Sequence, residues 1–200
     1  MDILDAFKSE VFRPLVTLIV PGAIAIAPYP IVTGHYVPKV QLFWNEHSSG
    51  FVAILIVSVI ASGLILENLG SRIESRFWDK RIKNHDESHY ATWDEYLKLE
   101  TNDEIIGQRY LRTILVRLKF ELSMIPALIF LWLGLLWVNC LYHVWSLWGF
   151  ALVTVFVFAL NGYLWFESYS SAKNIARIRK LMVEAVKEKF ARTPAPKPER

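Results

Sequence analysis

Cysteine is almost absent from this chain: Cys140 is the only one among 200 residues, which excludes an intrachain disulfide. The sequence also lacks the glycine-rich loops G-x-G-x-x-G and G-x-x-x-x-G-K-[ST], which cradle phosphates. The only metal-like string runs from His85 to His89, and it has neither the H-E-x-x-H order nor an evident third ligand. We therefore predict no catalytic residues, no metal site and no cofactor.

Four long apolar segments dominate what is present, at positions 15–31, 51–66, 122–142 and 148–166. A bilayer core of about 30 Å needs about 20 apolar residues in a helix, and inside lipid each segment must satisfy its own backbone hydrogen bonds. The sequence predicts an all-α, four-helix polytopic membrane protein with helical cytoplasmic extensions. Pro28 and Pro30 are expected to end the first helix.

Positive charge is nearly missing from one side of these segments. Of the 22 Lys and Arg residues, only Lys39 lies in a connection on the far side. The positive-inside rule then places both termini in the cytoplasm. The cytoplasmic parts are an N-terminal segment 1–14, a connection 67–121, a basic amphipathic helix 167–192 and a flexible tail 193–200. The transmembrane hairpins are 15–66 and 122–166.

The helix that contains the second apolar segment is expected to continue past the membrane. Leu66, Leu69, Ile73 and Phe77 recur at helical spacing among charged residues. This periodicity predicts one apolar face along the extension.

One carboxylate lies at the cytoplasmic boundary of each of three predicted helices: Glu67, Glu121 and Glu167. Arg72 and Arg117 fall near the same level, and Arg117 is four residues before Glu121 on the same helix face. Charges at that depth are tolerated when they are paired or face a wet cavity. The pattern predicts an ion- or ligand-binding belt or a salt-bridged gate. The alternative is that helix ends carry charge in any case.

Small and amide side chains within the segments indicate helix packing. Ser58, Ser62 and Gly63 form a small-residue face suited to close contact, within the chain or between copies. Asn139 and Asn161 are expected to hydrogen-bond neighbouring helices.

The C-terminal region is basic. From position 167 to 200 it holds nine Lys or Arg and four Asp or Glu residues. Contact with anionic lipid or with a partner is predicted for Lys173, Arg177, Arg179 and Lys180. Nucleic acid is an alternative target, reached only through this tail or through a partner.

This layout resembles small four-helix membrane proteins encoded beside cytosolic components in prokaryotic antiphage defence systems, such as the membrane subunit of Kiwa and the membrane accessories of type VI CRISPR loci. The resemblance covers the whole chain as size, topology and a charged cytosolic connection. It implies a homo-oligomer of the bacterial inner membrane that senses membrane disturbance or compromises the membrane after a cytosolic trigger.

Three functions are therefore open. The first is an oligomeric membrane sensor, effector or anchor that works with a cytosolic protein partner. The second is an ion channel or small transporter that uses Glu67, Glu121 and Glu167. The third is a membrane-interface enzyme.

Overall fold

The computed structural model describes residues 3–84, 95–96 and 106–192. The described chain forms helices and no strands. They are α1 (Ile3–Ile26), α2 (Tyr29–Tyr36), α3 (Pro38–Glu46), α4 (Ser48–Ile73), a π-helical turn (Glu74–Trp78), α5 (Asp79–Lys83), α6 (Ile106–Tyr142) and α7 (Leu147–Arg192).

Four stretches are long and apolar enough to cross a membrane: Leu15–Tyr36, Ser48–Lys83, Tyr110–Tyr142 and Leu147–Ala185. They contain the four apolar segments of the sequence, and the predicted fold class, an all-α polytopic protein, is confirmed. Each of the last three continues well beyond its apolar segment, because the flanking sequence keeps helical periodicity.

The connection between the first two spans is itself helical. α1 ends at Ile26, before Pro28, and the chain resumes as α2 after a single break. Prolines occupy the first turns of both α2 and α3, where their missing N–H leaves no intrahelical bond unmade. The apolar segment 15–31 is therefore divided between two helices.

α6 is the central helix, since it packs against α1, α4 and α7. α1 and α4 also pack against each other, whereas α7 rests mainly on α6. The apolar side chains of α4 and α7 consequently remain largely exposed, as expected for surfaces that face lipid.

α1 and α4 approach each other closely at two glycines. A Cβ built on Gly63 would lie 2.2 Å from the carbonyl oxygen of Leu18, and one on Gly22 would lie 2.1 Å from that of Val59. Neither position has room for a methyl group. The small-residue face predicted around Gly63 thus lies against another helix of the same chain.

The π-helical turn changes which aromatic side chain points inward. Simple α-helical spacing predicts Phe77 on the apolar face, but Phe77 is 50% exposed and Trp78 only 2%. A π-helical turn accommodates one extra residue, so the face after it shifts by one position. The prediction for Phe77 is wrong for this reason.

Beyond the apolar segments, the helices form a packed extension, defined as the π-helical turn, α5, residues 106–121 of α6 and residues 167–192 of α7. These stretches contribute to one buried cluster, which includes Trp78, Ile82, Leu111, Ala172, Ile175 and Met182. The extension is therefore held by apolar side chains from three stretches of chain.

Candidate functional site: the ion-paired end of the bundle

Two of the three predicted carboxylates share a single arginine. The Nε of Arg117 donates to Oε1 of Glu121 at 2.7 Å, and its Nη2 donates to Oε1 of Glu167. Arg117 and Glu121 are four residues apart on α6, so they lie on one helix face, and Glu167 comes from α7. The arginine thus ties α7 to α6.

Glu121 is the buried member of this triad. Its side chain is only 5% exposed, and its second oxygen, Oε2, accepts a hydrogen bond from Ser171 Oγ at 2.9 Å. Both carboxylate oxygens therefore have donors, which a buried charge requires. Ser171 lies one helical turn after Glu167, so both partners come from the same face of α7.

The third carboxylate, Glu67, belongs to a separate pair. Its Oε1 accepts from Nζ of Lys119 at 2.9 Å. Lys119 is two residues from both Arg117 and Glu121, which turns it about 200° away around α6. The central helix therefore clamps α7 on one side and α4 on the other.

The predicted belt is thus divided into two ion-paired groups, and Arg72 belongs to neither. Arg72 lies on the exposed side of α4. The sequence did not identify Lys119 as the partner of Glu67. The face of α6 that carries Lys119 lies against α4 only because α6 is the central helix. The only indication in the sequence was that Lys119 lies between Arg117 and Glu121, which were already candidate site residues.

The predicted amide contacts have different outcomes. The Nδ2 of Asn161 on α7 donates to the carbonyl of Ile125 on α6 at 3.0 Å, a bond between neighbouring helices as expected. Asn139 instead accepts from the backbone N–H of Trp145 at 2.8 Å. The neighbouring-helix prediction is wrong for Asn139, because it lies one turn from the end of α6, where the following turn offers a nearer N–H.

The predicted serine contacts are local. The hydroxyl of Ser58 donates to the carbonyl of Ile54 in its own helix at 2.8 Å, and Ser62 is partly buried. Of the small-residue face, Gly63 alone is fully buried.

Three of the four predicted basic contact residues, Lys173, Arg177 and Lys180, are exposed on α7. Arg179 is only 1% exposed, so its prediction as a surface contact is wrong. Arg179 follows Ile175 by one turn and precedes Val183 by another, which places it on the buried face of α7.

Within the described parts of the chain, no group of three or more His, Cys, Asp or Glu residues is arranged to hold a metal. His85 and His89 lie outside the described residues. The ion pairs of this end clamp α6 electrostatically to α7 and to α4.

The chain matches no family model, no curated protein and no solved structure. Its class accordingly follows from its own architecture. It is an all-α protein with four helices apolar enough to span a membrane, clamped at one end by ion pairs.

Proposed function

We propose that this protein is an oligomeric membrane anchor, with a sensor or effector role, whose extension binds a cytosolic protein partner. The observation that carries the proposal is the buried core of the extension, which lies mostly outside the apolar segments and joins them at Leu122 and Ile125. A helix that only returned the chain to the membrane would need no such core. A packed platform suits the presentation of a fixed surface to a soluble protein.

The face available for that partner is basic. Lys173 and Arg177 are exposed on α7, beyond the ion-paired end. An acidic protein surface would complement these charges and would be steered toward them. The positive-inside rule puts this face in the cytoplasm.

Site-specific crosslinking tests the anchor function. A photoactivatable residue at Arg177 should form an adduct with a soluble protein in native membranes, whereas one at Leu152, exposed in the apolar part of α7, should reach only lipid or another copy of this chain. Absence of any soluble-protein adduct at Arg177, with Leu152 reacting normally, would contradict the proposal.

The mass of the protein in nanodiscs tests whether it is an oligomer. A strict monomer would exclude the oligomeric state that we propose.

The pairing of the carboxylates favours an anchor over a channel within one subunit. Glu121 is buried with both oxygens bonded, and Glu67 and Glu167 are each bonded to a cation. Ion flux through liposomes containing the purified protein separates the two functions. We expect no flux above that of empty liposomes, and ion-selective flux would favour the channel.

Antiphage defence is the biological setting that we propose for this anchor, on the basis of its size and topology. Deletion of its gene in the native host should raise the plating efficiency of at least some phages, and the wild-type gene should restore protection. Unchanged plating across a broad phage panel would remove this setting while leaving the anchor function open.

A further inference from the structure

The pair formed by Glu67 and Lys119 lies where the extension meets the apolar part of the bundle. Leu66 is buried together with Ala25 and Ala127, and Gly70 lies against Leu122. Glu67 lies between these two contacts, so it is alongside positions 122–127. Those positions begin the apolar segment 122–142, so the backbone of Glu67 lies level with the start of the apolar part of the bundle.

Lys119 reaches this carboxylate from outside the segment. It precedes position 122 by three residues, and its long stem extends toward Glu67. A charged pair at this depth requires polar company, because lipid tails offer none.

The pair is nonetheless half-open to its surroundings. The side chain of Glu67 is 31% exposed and that of Lys119 is 44% exposed. On the same side of α4 as Glu67, Leu64 is an exposed apolar side chain that would face lipid. The bond between Lys119 and Glu67 uses one oxygen of Glu67 and one of the three donors of Lys119. Both groups therefore keep bonding capacity on a surface next to lipid.

The local charge selects among lipid headgroups. The pair presents one negative and one positive charge, the carboxylate of Glu67 and the ammonium of Lys119. An anionic headgroup offers a partner to Lys119 but none to Glu67. A headgroup that carries a phosphate for Lys119 and an ammonium for Glu67 matches both signs.

We propose that Glu67 and Lys119 form a binding site for a zwitterionic phospholipid whose headgroup ends in a primary ammonium, as in phosphatidylethanolamine. The phosphate accepts from Nζ of Lys119, and the ammonium donates to the second oxygen of Glu67. A choline headgroup has no N–H and cannot make the second bond, so the site discriminates by hydrogen bonding as well as by charge.

Native mass spectrometry of lipids retained from mixed micelles tests this site. The micelles contain equal amounts of phosphatidylethanolamine, phosphatidylcholine and phosphatidylglycerol with the same acyl chains. The wild-type protein should retain phosphatidylethanolamine about three- to tenfold over either competitor, as expected for one charge-assisted hydrogen bond at a half-exposed site. Equal retention, or preference for phosphatidylglycerol, overturns the proposal.

The variant Glu67→Gln should bring the ratio of phosphatidylethanolamine to phosphatidylcholine close to one. Lys173→Gln, which removes an exposed cation of the extension, is the matched control and should leave the ratio unchanged. A ratio unaffected by Glu67→Gln assigns the preference elsewhere and overturns the site.

A second measurement does not depend on the folding of any variant. Stepwise N-methylation of the ethanolamine headgroup should weaken retention by the wild-type protein, with the largest loss when the last N–H is removed. Retention that is constant across the methylated series contradicts the proposed bond to Glu67.

Discussion

Replacement of Gly63 by alanine should loosen the contact between α1 and α4. The new methyl group would have to move by about 1.2 Å to go from 2.2 Å to ordinary contact at 3.4 Å from the Leu18 carbonyl oxygen. The obstacle is backbone on a neighbouring helix, so no side-chain rotation relieves it. The two helices must separate, and the packing along their shared face is lost with them.

Two effects of opposite sign determine how much Gly63→Ala changes the free energy of unfolding. Overpacking typically costs about 1–3 kcal/mol, and a contact between backbones belongs at the upper end of that range. Alanine recovers up to about 1 kcal/mol over glycine through its helix propensity. We expect a net loss of about 1–2 kcal/mol, which corresponds to a decrease in Tm of roughly 2–8 °C for a chain of this size.

Gly162→Ala is the matched control, because a Cβ at Gly162 in α7 meets no atom within 4 Å. This variant should keep or raise the Tm, since it gains helix propensity without a clash. Thermal unfolding of both variants in one detergent compares them directly. The reasoning about the α1–α4 contact is refuted if Gly63→Ala melts at or above the wild-type temperature.

Three further outcomes follow from the described contacts, each measured as a change in Tm under the same conditions. Arg117→Ala should destabilise by about 1–3 kcal/mol because it leaves a buried carboxylate without its cation, whereas Arg72→Ala, on the exposed side of α4, should stay within about 0.5 kcal/mol. Equal effects would contradict the clamp. Trp78→Ala should cost about 3–5 kcal/mol and Phe77→Ala much less, and the reverse order would place the wrong ring in the core. Asn161→Ala should cost about 0.6–2 kcal/mol through loss of its bond to α6, and no loss would mean that the bond contributes nothing in the membrane.

The membrane spans could be predicted from the sequence because long apolar runs admit few structures in lipid. The π-helical turn could not, because one extra residue in a helix leaves no compositional mark. That single insertion decided whether Phe77 or Trp78 is buried.

The carboxylates and Arg117 of the ion-paired end could be found from the sequence, but of their pairings only that of Arg117 with Glu121 could be predicted. Arg117 and Glu121 share a helix face by spacing alone, and the structure bears that pairing out. The partner of Glu67 depends on which helix is central, and that is a property of the whole bundle. Arg179 is a second example. Its charge led to a prediction of surface exposure, but its position on the buried face of α7 places it in the core.

The length and continuity of α7 have a mechanical consequence. It is one continuous helix of 46 residues, about 69 Å long at 1.5 Å per residue. Asn161 and the Trp132–Thr154 bond fasten its apolar part to α6, and the remaining length of about 38 Å, from Glu167 to Arg192, is held by the ion pair to Arg117 and by the buried core of the extension. The span and the extension of α7 are therefore parts of one rod that is fastened at both levels. A tilt of about 5° around the apolar part would move the far end by about 3 Å, so the rod could tilt only if the packed core of the extension moved with it.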